Sequence, residues 1–162
     1  SYHRLTHLPE PEYKTVSVPA LFTKLERLLQ AEPRSERVVY CDGKADRSTG
    51  KELQVYGDAN LLTLALINLI RNALQAVEGQ EDGIVRVDTC AGATGHLLIT
   101  ITDNGPGIPP ERLSAIFTPF FSTKSGGSGI GLPISQRIMQ LHGGQLSVSS
   151  IPNVRTEFRM EF

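Results

Sequence analysis

The run "ANLLTLALINLIRNALQAV", residues 59–77, constrains the fold more than any other stretch of this chain. Asp58 in front of it suits a helix N-cap, so the sequence predicts a helix through about Val77. Apolar side chains cover most of its circumference, which requires packing partners on more than one side. The rest of the chain supplies them. "IVRVDTC" and "HLLITITD" alternate with period two and are joined by "AGATG", a hairpin signal, and "QLSVSS" and "TEFRMEF" read as two more strands. "PALFTKLERLLQAE" places Leu21, Phe22, Leu25, Leu28 and Leu29 at helical spacing behind Pro19. "LPISQRIMQLHGG" is a further helix with Gly143 as its C-terminal cap. "RVVYC" (residues 37–41) and "ELQVY" (52–56) read as a hairpin, "PERLSAIF" as a short helical patch, and residues 1–18 as a polar linker or the tail of a preceding element. Strands and helices mix without regular βαβ alternation. The expected class is therefore α+β, a two-layer α/β sandwich with a mixed, mostly antiparallel sheet and about three helices on one face.

At 162 residues and 40% hydrophobic content the chain has the size of one ordinary domain with a core of its own. Its net charge of -1 gives no electrostatic argument for nucleic acid or for direct membrane contact. Any anion must be bound locally. Cys41 and Cys90 lie in strand-like segments without CxxC spacing and read as reduced core thiols of a cytosolic protein, not as a zinc site. With neither a signal peptide nor a bilayer-length apolar run, the expected location is cytoplasmic, either free or as the cytosolic part of a membrane-anchored sensor.

Three features carry chemistry. Asn68 and Asn72 lie one turn apart on one face of an otherwise apolar helix. Burying amides without partners costs about 1–3 kcal/mol each, so either neighbouring backbone satisfies them or Asn72 offers its carbonyl oxygen to magnesium, with Gln75 assisting. Arg71 beside them reads equally as a phosphate contact or a solvated charge. Next, "DNGPGIP" ends an apolar strand on Asp103 and continues with Gly105 and Gly107. Asp103 is either an Asx turn or a pocket carboxylate that accepts a hydrogen bond from an exocyclic amine such as that of adenine. The glycines permit close backbone approach and positive φ. Finally, "GGSGIGL" sets Gly127, Gly129 and Gly131 at alternate positions before a helix, which suits phosphate oxygens at a helix N-terminus. It is neither a Rossmann fingerprint nor a Walker A loop. Lys124, with Ser122 or Thr123 just before it, reads either as a contact to a terminal phosphate or, for the lysine, as a solvated loop charge. Phe117, Phe120 and Phe121 serve either as core or as anchors of a lid.

Taken in order, "NLIRNALQA", "DNGPGIP", "IFTPFFSTK" and "GGSGIGLPIS" resemble the ATP-binding catalytic domain of sensor histidine kinases, in the superfamily that includes DNA gyrase, large heat-shock chaperones and mismatch-repair ATPases. The wording is most similar to the nitrogen-regulation and oxygen-sensing branch. The resemblance covers the chain from about Val16 and implies a Bergerat-type ATP-binding fold with a flexible lid. Residues 1–15 are then a linker or remnant of a dimerisation helix, and 16–162 the catalytic domain. It also implies that Asn68, Arg71 and Asn72 belong to the asparagine box, with Asn72 on the metal, and that Asp103 is the adenine acceptor. Gly105, Gly107, Phe117, Thr123 and Lys124, and Gly127, Ser128, Gly129, Ile130, Gly131 and Leu132, border the nucleotide. Thr156 matches a threonine near the adenine-binding aspartate, although Arg155 stands where the family places glycine. His142 in "LHGG" fits a structural role.

The hydrolysing relatives carry a glutamate general base where this chain has Asn68, which cannot take a proton. Transfer to histidine is thus favoured over hydrolysis, with Asn68, Asn72 and Lys124 as the catalytic set around ATP and Mg2+. His3 and His7 lack the setting of a phosphoacceptor, so the acceptor is expected on a dimerisation domain, with a response regulator downstream. This domain alone is expected to be a monomer, inactive or weak in transfer, and the full-length protein a homodimer. A nucleotide sensor or scaffold without catalysis and an anti-sigma-type serine kinase are the alternatives.

Overall fold

A computed structural model describes residues 8–41, 50–91, 96–118 and 131–162. The chain runs through β1 (Lys14–Ser17), α1 (Val18–Leu29), a 3-10 turn (Ser35–Arg37), β2 (Val38–Cys41) and β3 (Gln54–Gly57). It continues through α2 (Ala59–Ala76), β4 (Val85–Ala91), β5 (Leu97–Asp103), α3 (Pro110–Leu113), α4 (Gly131–Leu141), β6 (Gln145–Ile151) and β7 (Arg155–Glu161). Five strands form one sheet in the order β2-β4-β5-β7-β6, and β1 pairs with β3 separately. Among the described residues only the β2–β4 pairing is parallel, so the sheet is mixed and mostly antiparallel, as its sequence suggests.

Alternation along the strands decides which face is covered. The register aligns Val87, Ile101, Phe158 and Val148 in one row across the sheet, and Ile99, Met160 and Leu146 in the next. Those side chains face the helices, while Arg86 and Cys90 on the opposite face meet solvent. Helix α2 fills the centre of the helical layer with Leu61, Leu62, Leu66, Leu69, Ile70 and Leu74 all buried. Each such burial contributes about 2 kcal/mol. Asp58 caps it as its position suggests, taking the N–H groups of Asn60 and Leu61 on Oδ1. Helix α4 closes in a Schellman arrangement: Gly143, at φ 69°, donates to Gln140 and Gly144 to Met139.

Three expectations are corrected. The segments around Arg37–Cys41 and Glu52–Tyr56 are strands but not a hairpin, since β2 joins β4 in parallel and β3 joins β1. Their β-branched residues set the strand type, while the partner is chosen by distant apolar rows: Val38 and Tyr40 align with Val85 and Val87, and Val55 with Val16. The polar segment before Val18 contains a strand, because β1 supplies the edge that β3 needs. The cysteines are not core residues: both are free, Cys41 is half-buried and Cys90 is exposed. Cys90 has the parity of Arg86 on β4, which turns it away from the helices.

Candidate nucleotide site

One stripe of α2 and one end of the sheet bring the candidate residues together. Asn68, Asn72 and Ala76 follow one another at four-residue intervals, so they line a single edge of the helix. Both asparagines are half-buried, as befits a polar stripe at the border of an apolar helix. At one end of the stripe a Cβ on Gly131, the first residue of α4, would lie 3.8 Å from Asn68 Cβ and 4.0 Å from its Oδ1. At the other end a Cβ on Gly105 would lie 2.8 Å from the Ala76 carbonyl oxygen. Asn72 is thus midway between the start of α4 and the loop that leaves β5.

Asp103 closes β5 with only 2% of its surface exposed. Its Oδ1 accepts the N–H of Gly105 at 2.9 Å, which holds the carboxylate in place as the chain turns. Its β7 neighbour is Thr156, also buried. The loop that follows is fastened from two sides. Asn104 donates to the Asp82 carbonyl and accepts from Ile84 N–H, and its own carbonyl takes Gln80 Nε2, which binds the loop to the segment after α2. Asn153 N–H donates to the Pro106 carbonyl at 2.7 Å, binding it to the β6–β7 turn. Gly105 is required for space and not for positive φ, whereas Gly107 needs both: its φ is 83°, and a Cβ would lie 3.0 Å from Pro152 Cα.

The remaining candidates separate. Phe117 sets its ring edge-on to Phe158, 6.4 Å between centroids, and Leu132 packs on the core from α4. Arg71 is exposed and ion-paired with Glu32 beyond α1, so a phosphate contact from it requires that pair to break. Gln75 is exposed. Arg155 lies beside Glu157 at 3.6 Å. Phe120, Phe121, Ser122, Thr123, Lys124, Gly127, Ser128, Gly129 and Ile130 lie outside the described residues. A recess of about 450 Å3, lined by Glu10, Lys14, Asp58 and Asn60 among others, sits at the opposite end of α2 and contains none of the residues above.

Sequence reasoning missed Ser150, Asn104 and Asn153. Ser150 had a signal: it continues the parity of Leu146 and Val148 on β6, so an inward polar residue was legible there. Asn153 stands at φ 62°, a conformation that asparagine tolerates better than most residues. Nothing in its immediate sequence marks which loop it holds.

The family model described as histidine kinase-, DNA gyrase B-, and HSP90-like ATPase matches residues 57–162. Sensor histidine kinase ZraS of Salmonella typhimurium is 43% identical over 98 residues, 60% of this chain and 21% of that protein. Sensory histidine kinase/phosphatase NtrB of Vibrio alginolyticus is 34% identical over 94% of this chain and 45% of its own length. The chain thus spans less than half the length of these relatives. Among solved structures, the catalytic domain of histidine kinase ThkA superposes with a TM-score of 0.75 at 27% identity, covering 93% of this chain and 95% of that one. The chain belongs to the histidine kinase-, DNA gyrase B- and HSP90-like ATPase family, among the ATP-binding catalytic domains of its histidine kinases.

Proposed function

We propose that this chain is the ATP–Mg2+ catalytic domain of a two-component sensor histidine kinase and passes the γ-phosphoryl group to a histidine on a dimerisation domain, for relay to a response regulator. One observation carries the reading. The amide stripe of Asn68 and Asn72 lies between the N-terminus of α4 at Gly131 and a buried polar pair, Asp103 and Thr156. That order matches a nucleotide laid along α2, with its base at Asp103 and its phosphates toward α4. The donor set fits magnesium, because amide oxygens are hard ligands and Mg2+ retains waters and phosphate oxygens. Among the described residues no three His, Cys, Asp or Glu side chains cluster for a metal, so Asn72 and the phosphates would hold it. The ion would neutralise charge on the phosphates.

The protein's own part is positioning. Asp103 orients the base, Gly105 and Gly107 shape the loop beneath it, and Asn72 fixes the metal end. Asn68 occupies the place of a general base without being able to act as one, which favours transfer over hydrolysis. Phe117, Leu132, Thr123, Lys124 and residues 127–131 border the phosphates in this reading. Residues 1–15 lead in from the dimerisation domain and 16–162 form the catalytic unit, working in the cytoplasm within a full-length homodimer. Among the described residues no helix is long and apolar enough to cross a membrane.

Titration calorimetry of ADP and a non-hydrolysable ATP analogue, with and without Mg2+, tests binding. Radiolabelled transfer to an added histidine-bearing dimerisation domain tests catalysis. Magnesium-dependent binding with acid-labile label on the added domain is expected. Binding without label would favour a nucleotide sensor, and acid-stable label on serine would favour a serine kinase.

A further inference from the structure

Ser150 has no part in the roles above, yet its hydroxyl meets that of Thr156, the β7 neighbour of Asp103. The β6–β7 register sets Ser150 opposite Thr156, and the β5–β7 register sets Thr156 opposite Asp103. Residues directly opposite in a sheet share a face, so the three form one polar row across the end of the sheet. The next row on that face is Val148, Phe158 and Ile101. Ser150 Oγ accepts the N–H of Ile108 at 2.8 Å, lies 3.1 Å from the Arg155 carbonyl oxygen and is 3.0 Å from Thr156 Oγ1. Gly107 leaves it room, since a Cβ there would lie 3.0 Å from the same oxygen.

A serine hydroxyl carries one proton. With Ile108 N–H occupying one lone pair, that proton goes either to Arg155 or to Thr156. In the first case Thr156 donates to Ser150 and offers only lone pairs elsewhere. In the second, Thr156 accepts from Ser150 and its own proton is released toward another acceptor. The two arrangements differ by rotation of two hydroxyls across nearly equal distances.

We infer that Ser150 is a positioning residue that aims the Thr156 hydroxyl and so sets selectivity for the ring nitrogen beside the amine of the base. The inference rests on the reading of Asp103 as acceptor for an exocyclic amine. An adenine-type edge carries a ring nitrogen lone pair next to that amine, and a Thr156 proton released by Ser150 is its complement. Ile108 contributes by fixing the serine rotamer, which links the shape of the Gly105–Pro109 loop to what Thr156 presents.

The test is calorimetry with this chain and Mg2+, using three probes. These are ADP, 1-deaza-ADP, which keeps the amine but lacks the ring nitrogen, and purine riboside diphosphate, which keeps the nitrogen but lacks the amine. The unsubstituted chain is expected to prefer ADP over 1-deaza-ADP by roughly 3- to 10-fold, the range of one net hydrogen bond. Ser150→Ala shrinks that preference to about twofold or less and leaves the preference over purine riboside diphosphate unchanged, while Ser150→Thr retains both. If Ser150→Ala fails to fold, Ser150→Cys, a weak donor of similar size, is expected to show the same selective loss. A variant that weakens all three probes equally, or an unsubstituted chain indifferent to the ring nitrogen, overturns the inference. An unsubstituted chain indifferent to the amine overturns the Asp103 reading, and this inference with it.

Discussion

The backbone N–H of Asp58 donates to Nε2 of His142 at 3.0 Å, joining the start of α2 to the end of α4. The other ring nitrogen, Nδ1, lies 2.7 Å from the Ile138 carbonyl oxygen and donates to it. Both ring nitrogens thereby have partners, one at the start of α2 and one within α4. The fit is close enough that a Cβ on Gly57 would lie 2.6 Å from His142 Cδ2. The entering chain is fastened to the same point: Glu12 N–H donates to Asp58 Oδ2, and the Tyr13 hydroxyl donates to the Leu141 carbonyl. Residues 12–13 thus grip both helices that carry Asn68, Asn72 and Gly131 toward their other ends.

Asp58 is expected to give this junction a dependence on acid. Burial acts to raise its pKa, but the N–H groups of Glu12, Leu61 and Asn60 outweigh it and hold the carboxyl below its usual value. A depressed carboxylate contributes stability that is present above the ordinary carboxylate pKa and lost as pH falls through the folded value. Asp58→Ala is predicted to cost about 0.5–2 kcal/mol near neutral pH, as an N-cap does. Denaturation curves of both proteins across the acid range should converge as pH falls. A difference that stays constant with pH would count against the carboxylate as the cause.

Gly105 and Gly131 are both glycines beside the site, but their surroundings predict opposite outcomes for alanine. At Gly105 the new methyl would lie 2.8 Å from the Ala76 carbonyl and 2.9 Å from Asp103 Oδ1, neither of which yields without moving backbone or the base acceptor. At Gly131 the nearest atoms, on Asn68, are at 3.8 Å, ordinary contact. Gly105→Ala is predicted to lose about 1–3 kcal/mol of stability, the range for overpacking, together with most nucleotide affinity. Gly131→Ala should melt within a few degrees of the unsubstituted protein. Equal melting temperatures for the two variants would contradict the close approach of Ala76 and Asp103 to Gly105.

Where the sequence was legible, period and punctuation were enough. The apolar circumference of α2, the alternation of β4 and β5, and Gly143 after α4 each express a local rule that the fold obeys. The partner of β2 was not legible, because strand propensity in Val38–Cys41 states that the segment extends but not which neighbour it meets. Among the candidate residues, Asp103, Gly105 and Thr156 were marked by motif. Ser150 was marked only by its inward parity and Asn153 not at all, since their partners come from cross-strand register and from a turn meeting a loop more than 40 residues away in sequence.

Asp103→Asn isolates charge from shape. The amide keeps an oxygen for Gly105 N–H, so the fold should survive, while the acceptor facing the base becomes neutral. Hydrogen bonds to charged groups are worth about 1.5–3 kcal/mol, which predicts a roughly 10- to 150-fold weaker dissociation constant for ADP. Calorimetry gives the constant, and circular dichroism confirms that the fold persists. An unchanged constant in a folded variant would remove Asp103 from base recognition.

Tyr40 predicts a second, alkaline limit on stability. It lies on β2 with its ring edge-on to Phe22 at 6.3 Å, and burial, followed by the charge of Glu26, raises its pKa from 10.0 to about 12. The folded state therefore holds the phenolic proton more tightly than the unfolded chain. That contribution is complete below pH 10 and is lost as the pH rises from 10 toward 12. Tyr40→Phe keeps the ring and its packing but has no proton to lose. Its denaturation midpoint is expected to decline less steeply than that of the unsubstituted protein across this window, with the two proteins similar near neutrality. Glu26→Gln removes the smaller cause and should shift the onset of phenolate absorbance to slightly lower pH. If Tyr40→Phe declined as steeply, the alkaline loss would have to come from another group.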